Sequence, residues 1–191
     1  MTLAGISAVA AGITLLISGA CLVVFFAADK DAWGRANDAT SALFALLTIA
    51  PALSLAGRYA SDARLAVGVA TVLAIGGALD IAVTSGLTAA SRLDWLLSAK
   101  IGAVGFAGLL IWIATVCVLI LANGGLPRAL AWLGLAAVGL AAIGAVFTIR
   151  FIHRHGSLSG EVQPSPALWV LFALAYLSFP VWFVWLGRSS S

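Results

Sequence analysis

The chain has 191 residues, of which 63% are hydrophobic and only 9% are charged, and its formal net charge is +3. In soluble domains roughly a quarter of the residues are charged, so this chain lacks the polar surface that would cover a core in water. The composition therefore argues against a soluble enzyme, a disordered regulator and a secreted disulfide scaffold. The ten basic residues are scattered rather than clustered, so nucleic acid is not an expected partner.

Six apolar runs follow one another along the chain, each close to the ~20 residues that a helix needs to cross about 30 Å of hydrocarbon. In lipid, a helix is the element that satisfies its own backbone polar groups. The sequence therefore predicts an all-α integral membrane bundle of about six transmembrane helices, forming a single transmembrane domain over residues 1–191. The predicted spans are 3–28, 39–57, 65–88, 100–122, 128–149 and 167–187.

The predicted connections between these spans are short. The first covers residues 29–38 and ends in Asn37 and Asp38, residue types that favour the N-cap position of the second helix. The segment Arg58–Arg64 is predicted to join the second and third spans. Asn123–Pro127 contains two glycines and a proline, which is typical of a tight turn before the next helix.

The fifth connection carries His153, His155 and Glu161, which are possible metal ligands. Their spacing is not that of a zinc site and a fourth ligand is missing, so we expect no metal here and no cofactor elsewhere. Nucleotide-binding and hydrolase motifs are absent from the sequence, and we expect a protein that is not an enzyme.

The stretch Ala32–Leu43 combines an aromatic-Gly-x-x-Asn-Asp loop with the start of an Ala- and Leu-rich helix. In this it resembles small uncharacterised bacterial multi-pass membrane proteins. The resemblance implies a bacterial inner membrane and no particular activity, and it transfers no site residues.

An even number of spans places both termini on one side of the membrane. Counting only Lys and Arg slightly favours the opposite side as cytoplasmic, whereas net charge and the longer fifth connection favour the side of the termini. We expect the cell (cytoplasmic) membrane, with cytoplasmic termini.

Small residues recur on two of the predicted helices. Close helix packing in lipid depends on such residues, because burial from water contributes no driving force there. The alternative is that glycine is simply abundant in this chain. The predicted packing positions, seven residues apart on the first helix and at multiples of four on the third, are Gly5, Gly12, Gly19, Gly68 and Gly76.

Asp80 is the acid that lies clearly inside an apolar run. A charge at the centre of a spanning helix costs at least about 2.5–3.5 kcal/mol on insertion scales, so this residue requires an explanation. It shares a helix face with Gly76, and Ser18 is expected at a similar depth. The predicted cavity comprises Asp80, Thr84, Thr48, Trp112 and Tyr176.

Three interpretations of Asp80 are open. It could line a cavity as a proton- or cation-responsive group, or it could tie helices together through hydrogen bonds. In the third interpretation Lys100 or Arg150 reaches it from the same side of the membrane.

The leading hypothesis is a membrane protein that binds or transports a small solute, ion or lipid through a cavity containing Asp80. The alternative is an accessory or structural subunit of a larger membrane complex, and a small intramembrane enzyme is a remote third. Expected partners are the lipid bilayer and, for the alternative, other membrane subunits or further copies of this chain.

Overall fold

The computed structural model describes residues 1–28, 30–155 and 166–190, leaving out the side chains of residues 26, 95, 96, 148–155, 166–169, 171 and 172. Within this part of the chain all regular structure is helical, as predicted, and no strand is present. The five helices are α1 (Leu3–Ala28), α2 (Asp31–Ala89), α3 (Trp95–Asn123), α4 (Arg128–His155) and α5 (Pro166–Ser189).

Helix α1 has the predicted bounds, but α2 begins earlier than predicted. Lys30 occupies its N-cap position without a side-chain hydrogen bond, and Asn37 and Asp38 lie inside the helix. The prediction that these two residues cap the helix is therefore wrong. The preceding helical residues include Ala32 and Ala36, which favour helix, and the side chain of Asn37 contacts α1 instead.

The predicted connection Arg58–Arg64 contains the interruption between two helical segments, although most of its residues are helical. Only Ala63 departs from helical geometry, with φ −153° and ψ 54°. No glycine or proline lies within this segment to end the helix at an earlier residue. Residues 31–62 and 64–89 are called the first and second segments of α2 below.

The two segments of α2 lie side by side rather than end to end. On the first segment, the Phe44 ring packs 5.4 Å from that of Phe183, which lies 6.4 Å from Trp112 on α3. On the second segment, the carbonyl of Leu73 lies against Gly108, one turn from Trp112. In a straight helix Phe44 and Leu73 would be about 44 Å apart, so the chain folds back near Ala63.

A tight turn joins α3 to α4, in agreement with the prediction for Asn123–Pro127. Gly124 and Gly125 adopt φ values of 77° and 83°, a region that favours glycine. The Tyr59 hydroxyl donates to the Gly124 carbonyl over 2.9 Å, and Arg58 Nη2 donates to the Gly125 carbonyl over 2.6 Å. The fold-back of α2 and the α3–α4 turn are thus joined at one end of the bundle.

Helix α5 packs antiparallel to α1. Gly187 lies against Gly5 near one end, and Tyr176 lies against Gly19 further along. The Thr2 hydroxyl approaches the Ser190 carbonyl at 3.4 Å, so the two ends of the chain lie together.

Four helical stretches in the described part of the chain are long and apolar enough to cross a membrane. Many of their large apolar side chains face outward, as Leu65 does with 81% of its surface exposed. These features indicate a membrane protein. The four stretches are Leu3–Phe25, Asp31–Ala89, Leu97–Asn123 and Arg128–Phe147. Two predicted spans belong to α2, which counts as one stretch, and α5 is not among the four. The predicted count of about six spans is therefore not confirmed.

Candidate functional site

Asp80 lies at the interface between the second segment of α2 and α3. Its side chain is half-buried, and Oδ2 accepts a hydrogen bond of 3.1 Å from the backbone N–H of Gly105. Gly105 is an interior residue of α3. The described contacts give the Asp80 carboxyl this one hydrogen-bond partner, while Lys100 is exposed.

The carboxyl can reach a helix backbone because the α2–α3 interface is built from glycines. A Cβ added to Gly77 would lie against the Gly105 carbonyl, and one added to Gly105 would lie 2.6 Å from both Asp80 Oδ2 and the Gly77 carbonyl. One added to Gly108 would lie 2.6 Å from the Leu73 carbonyl. The absence of these side chains brings the two backbones close enough for Asp80 to bridge them.

Thr84 is the predicted cavity residue that directly contacts Asp80. It is buried one turn further along α2, and its hydroxyl donates to the Asp80 carbonyl over 2.8 Å. Its Oγ1 also lies 3.4 Å from where a Cβ on Gly102 would be. Thr84 therefore supports the backbone at Asp80 and forms part of the same interface.

Thr48 and Trp112 are placed elsewhere. Thr48 is buried in the first segment of α2 and donates to the Ala45 carbonyl of its own helix over 2.6 Å. Trp112 is 1% exposed and packs edge-on against Trp182, with ring centroids 5.9 Å apart. It lies about 10 Å along α3 from Gly105, the residue that contacts Asp80. The structure thus places Trp112 in the aromatic core.

Tyr176 belongs to a polar cluster between α1, α2 and α5. At its centre the fully buried Ser18 hydroxyl donates to Asn37 Oδ1 over 2.8 Å. Ser18 Oγ also lies 2.9 Å from Ser41 Oγ and 3.2 Å from Tyr176 Oη. A hydroxyl offers one donor and two acceptor sites, so these contacts use the full capacity of Ser18. We call these four residues the Ser18 cluster.

Sequence reasoning missed the roles of Asn37 and Ser41 in this cluster. Both lie close to the predicted start of the second span, where Asn37 was expected to cap the helix. The available signal was their spacing of four residues, which places them on one helix face once the helix is known to begin at Asp31.

The predicted packing glycines divide into two groups. A Cβ on Gly5 or Gly12 would lie 2.7 Å from a carbonyl of α5, and one on Gly19 would lie 2.9 Å from the Tyr176 ring. At Gly68 and Gly76 a Cβ would meet open space. The second segment of α2 instead contacts α3 at Gly77, which lies about 100° around the helix from Gly76.

Two apolar grooves lie on the outer surface. One has a volume of about 550 Å³ and is formed by α5 and Leu16 of α1, whereas the other, about 580 Å³, follows Arg64–Leu73. Asp80 lines neither groove. The His153 and His155 side chains, and the whole of Glu161, lie outside the described residues.

Comparison with known proteins gives no further guidance. No family model, no curated protein and no solved structure matches the chain.

Proposed function

We propose that the chain crosses a bacterial cytoplasmic membrane six times, with both termini in the cytoplasm. Each segment of α2 then crosses once, which their side-by-side packing supports. As one straight element, the 59 residues of α2 would extend about 88 Å, nearly three times the thickness of the hydrocarbon layer.

This topology is tested by labelling single cysteines in intact cells with a membrane-impermeant maleimide. Ser61 lies beside the fold-back and Ser91 just after α2, and both are exposed. Ser91→Cys should react in intact cells, whereas Ser61→Cys should react only after the membrane is opened. Reaction of both in intact cells would contradict two crossings by α2.

Within this topology the protein binds a proton or a small cationic solute at Asp80 and moves it across the membrane. The observation that carries the proposal is a half-buried carboxyl inside an apolar helix, held by one backbone N–H. An ionised carboxylate is unfavourable at such a position, so a proton or a cation is the ligand that relieves its charge. A polar solute would require a further donor set.

Occupancy at Asp80 is coupled to helix packing. As a carboxylate, Asp80 forms a charge-assisted hydrogen bond with Gly105, and such bonds are roughly twice as strong as neutral ones. Protonation or cation binding neutralises the carboxylate and so weakens its hydrogen bond to Gly105. The α2–α3 interface is therefore expected to loosen when the site is occupied and to tighten when the ligand leaves.

The proposal is tested in phosphatidylcholine vesicles that contain the purified protein and a pH-sensitive dye. A potassium diffusion potential drives proton entry, and sodium entry is followed separately with a sodium-sensitive dye. We expect one of these ions to enter in wild type but not in Asp80→Asn, which preserves side-chain size and removes the ionisable group.

Asp62→Asn is the matched control, because Asp62 is an exposed acid on the same helix. It should retain wild-type entry rates. Equal rates for wild type and Asp80→Asn, or no protein-dependent entry of either ion, would contradict transport through Asp80.

A second candidate function, an accessory subunit of a membrane complex, is favoured by the glycines that the fold leaves unused. Gly68 and Gly76 are exposed, and among the described residues no atom lies within 4 Å of where their Cβ atoms would be. Small residues on a lipid-facing helix permit close approach by another helix.

Purification in mild detergent tests this candidate. A stoichiometric partner should co-purify with wild type and be lost in Gly68→Leu. Gly57→Leu is the control and should keep the partner, because a Cβ on Gly57 also meets open space but lies on the first segment of α2. Solitary behaviour of the wild type would contradict it.

A further inference from the structure

The groove along the second segment of α2 is apolar except at one end. It has a volume of about 580 Å³. The charged side chain in its lining, Arg64, directly follows Ala63, where α2 folds back. The groove therefore leads from a cation at the fold-back into an apolar surface. Its lining consists of Arg64, Leu65, Gly68, Val69, Val72 and Leu73.

A missing side chain at Gly68 forms the floor of this groove. Arg64, Gly68 and Val72 are four residues apart and lie on one face of the helix. Among the described residues, no atom lies within 4 Å of where a Cβ on Gly68 would be. The side chains of Leu65 and Val69 beside it are 81% and 53% exposed. The face is thus open to the membrane between Arg64 and Val72.

The length of the groove matches one leaflet of a bilayer. From Arg64 to Leu73 the groove follows about 14 Å of helix, and half of the hydrocarbon layer is about 15 Å thick. In the proposed six-span topology, the fold-back lies at the membrane face on the side of the termini. An acyl chain in the groove would therefore have its headgroup beside Arg64.

The Arg64 guanidinium is available to a ligand. Arg58, on the other side of the fold-back, donates to the Gly125 carbonyl over 2.6 Å. Arg64 is exposed and has no hydrogen bond or ion pair within the described part of the chain. The neighbouring acid Asp62 instead accepts a hydrogen bond of 3.1 Å from the Ser61 hydroxyl. A guanidinium carries a planar set of donors that fits phosphate oxygens.

We propose that this groove binds one phospholipid with an anionic headgroup, in the leaflet on the side of the termini. The headgroup phosphate accepts hydrogen bonds from Arg64, and an acyl chain lies over Gly68 and along Val72. The site is separate from Asp80, which does not line the groove. It rests on the proposed topology, which cysteine labelling tests by itself, and not on transport through Asp80.

Charge complementarity selects a lipid over a partner helix as the occupant. A helix in a membrane uses its backbone carbonyls for its own hydrogen bonds, so an apolar helix at Gly68 would offer the Arg64 guanidinium no acceptor. An anionic lipid supplies an acyl chain for the apolar surface and charged oxygens for the arginine. The two occupants exclude each other at Gly68, so this proposal and the second candidate function predict different results.

Native mass spectrometry of the detergent-purified chain tests the proposal by titration with phosphatidylglycerol or phosphatidylcholine. Phosphatidylcholine carries the same phosphate, but its choline cancels the charge. One basic side chain near the surface contributes about 1 kcal/mol toward an anionic lipid, which corresponds to about a fivefold preference. We expect wild type to bind one phosphatidylglycerol with this preference, and Arg64→Gln to bind both lipids equally.

Matched variants separate lipid binding from folding and from general surface charge. Gly68→Phe fills the groove and should reduce binding of both lipids. Gly76→Phe should leave binding unchanged, because a Cβ there also meets open space but lies outside the groove. Arg128→Gln removes an exposed arginine at the start of α4, outside the groove, and should preserve the preference.

Four results would overturn the proposal. These are an unchanged preference in Arg64→Gln, equal lipid binding by Gly68→Phe and Gly76→Phe, displacement of phosphatidylglycerol by inorganic phosphate alone, and a stoichiometric protein partner in place of the lipid. If Arg64→Gln fails to fold, the comparison of Gly68→Phe with Gly76→Phe decides.

Discussion

The α1–α5 and α2–α3 interfaces are both packed closely through glycines, but their polar groups differ. In both, glycines allow one helix to contact the backbone of another: Gly12 faces the Pro180 carbonyl, and Gly77 faces the Gly105 carbonyl. The α1–α5 interface continues into the neutral hydroxyls of the Ser18 cluster. The α2–α3 interface instead contains the carboxyl of Asp80.

The proposed function assigns permanent packing to the first interface and ligand-dependent packing to the second. Hydroxyls such as those of Ser18 and Tyr176 keep their hydrogen bonds when an ion or a proton arrives. A carboxyl changes its charge and its hydrogen-bonding capacity when it binds a proton. In the proposed function, ligand binding therefore alters the α2–α3 interface, whereas the α1–α5 interface is unchanged.

The largest effect is expected from adding a methyl group inside either interface. Gly12→Ala and Gly77→Ala should each lower the free energy of unfolding by about 1–3 kcal/mol, because the new Cβ meets a backbone carbonyl that cannot move aside. Unfolding by sodium dodecyl sulfate in mixed micelles measures both. Gly76→Ala, whose Cβ meets open space next to Gly77, is the matched control and should not be destabilised.

Removing the Ser18 hydroxyl should have the next largest effect. Ser18→Ala leaves the polar groups of Asn37, Ser41 and Tyr176 without their shared partner, which should lower the free energy of unfolding by about 1–3 kcal/mol. The loss should be toward the lower end of this range if water or the three groups themselves replace the lost hydrogen bonds. The same unfolding assay measures this loss. An unchanged stability in Ser18→Ala would contradict the assignment of Ser18 as the shared hydrogen-bond partner of the cluster.

Asp80→Asn should change stability less than Ser18→Ala. The substitution replaces a charge-assisted hydrogen bond to Gly105 by a neutral one, a difference of about 1 kcal/mol. Unfolding of wild type and variant in the same mixed micelles measures it. An unchanged stability in Asp80→Asn would contradict a stabilising contact between this carboxyl and Gly105.

The smallest effect is expected at two matched threonines. Thr14 on α1 and Thr84 on α2 are both buried and donate to the carbonyl four residues earlier, over 2.8 Å in each case. Since that carbonyl keeps its place in the helix, Thr14→Val and Thr84→Val should each change unfolding by about 0.5 kcal/mol or less. A larger loss at Thr84 alone would indicate that its hydroxyl acts on the Asp80 site.

Hydropathy predicted most helices well because it locates apolar runs that are long enough to cross a membrane. The first span, Leu3–Ala28, coincides with α1 since a long apolar run has one stable conformation in lipid. The same measure placed a connection at Arg58–Arg64, and the interruption of α2 at Ala63 lies within it. It did not predict that residues 58–62 are helical, because a polar segment without glycine or proline can remain helical.

Rotation around each helix was harder to predict than length. The depth of Asp80 suggested a shared layer with Tyr176 and Trp112, but side chains at one depth meet only when their helices turn them toward each other. The structure gives Asp80 a backbone partner on α3 and gives Tyr176 a partner on α1. That Gly77 rather than Gly76 contacts α3 is likewise a matter of 100° of rotation, which composition does not encode.

Ala63 couples the positions of the two segments of α2. A connection of one non-helical residue holds the ends of the two segments close together, so one segment cannot slide far along its axis without moving the other. The first segment is anchored at the Ser18 cluster and the second at Asp80. A shift of the second segment at Asp80 is therefore expected to move the end of the first segment as well.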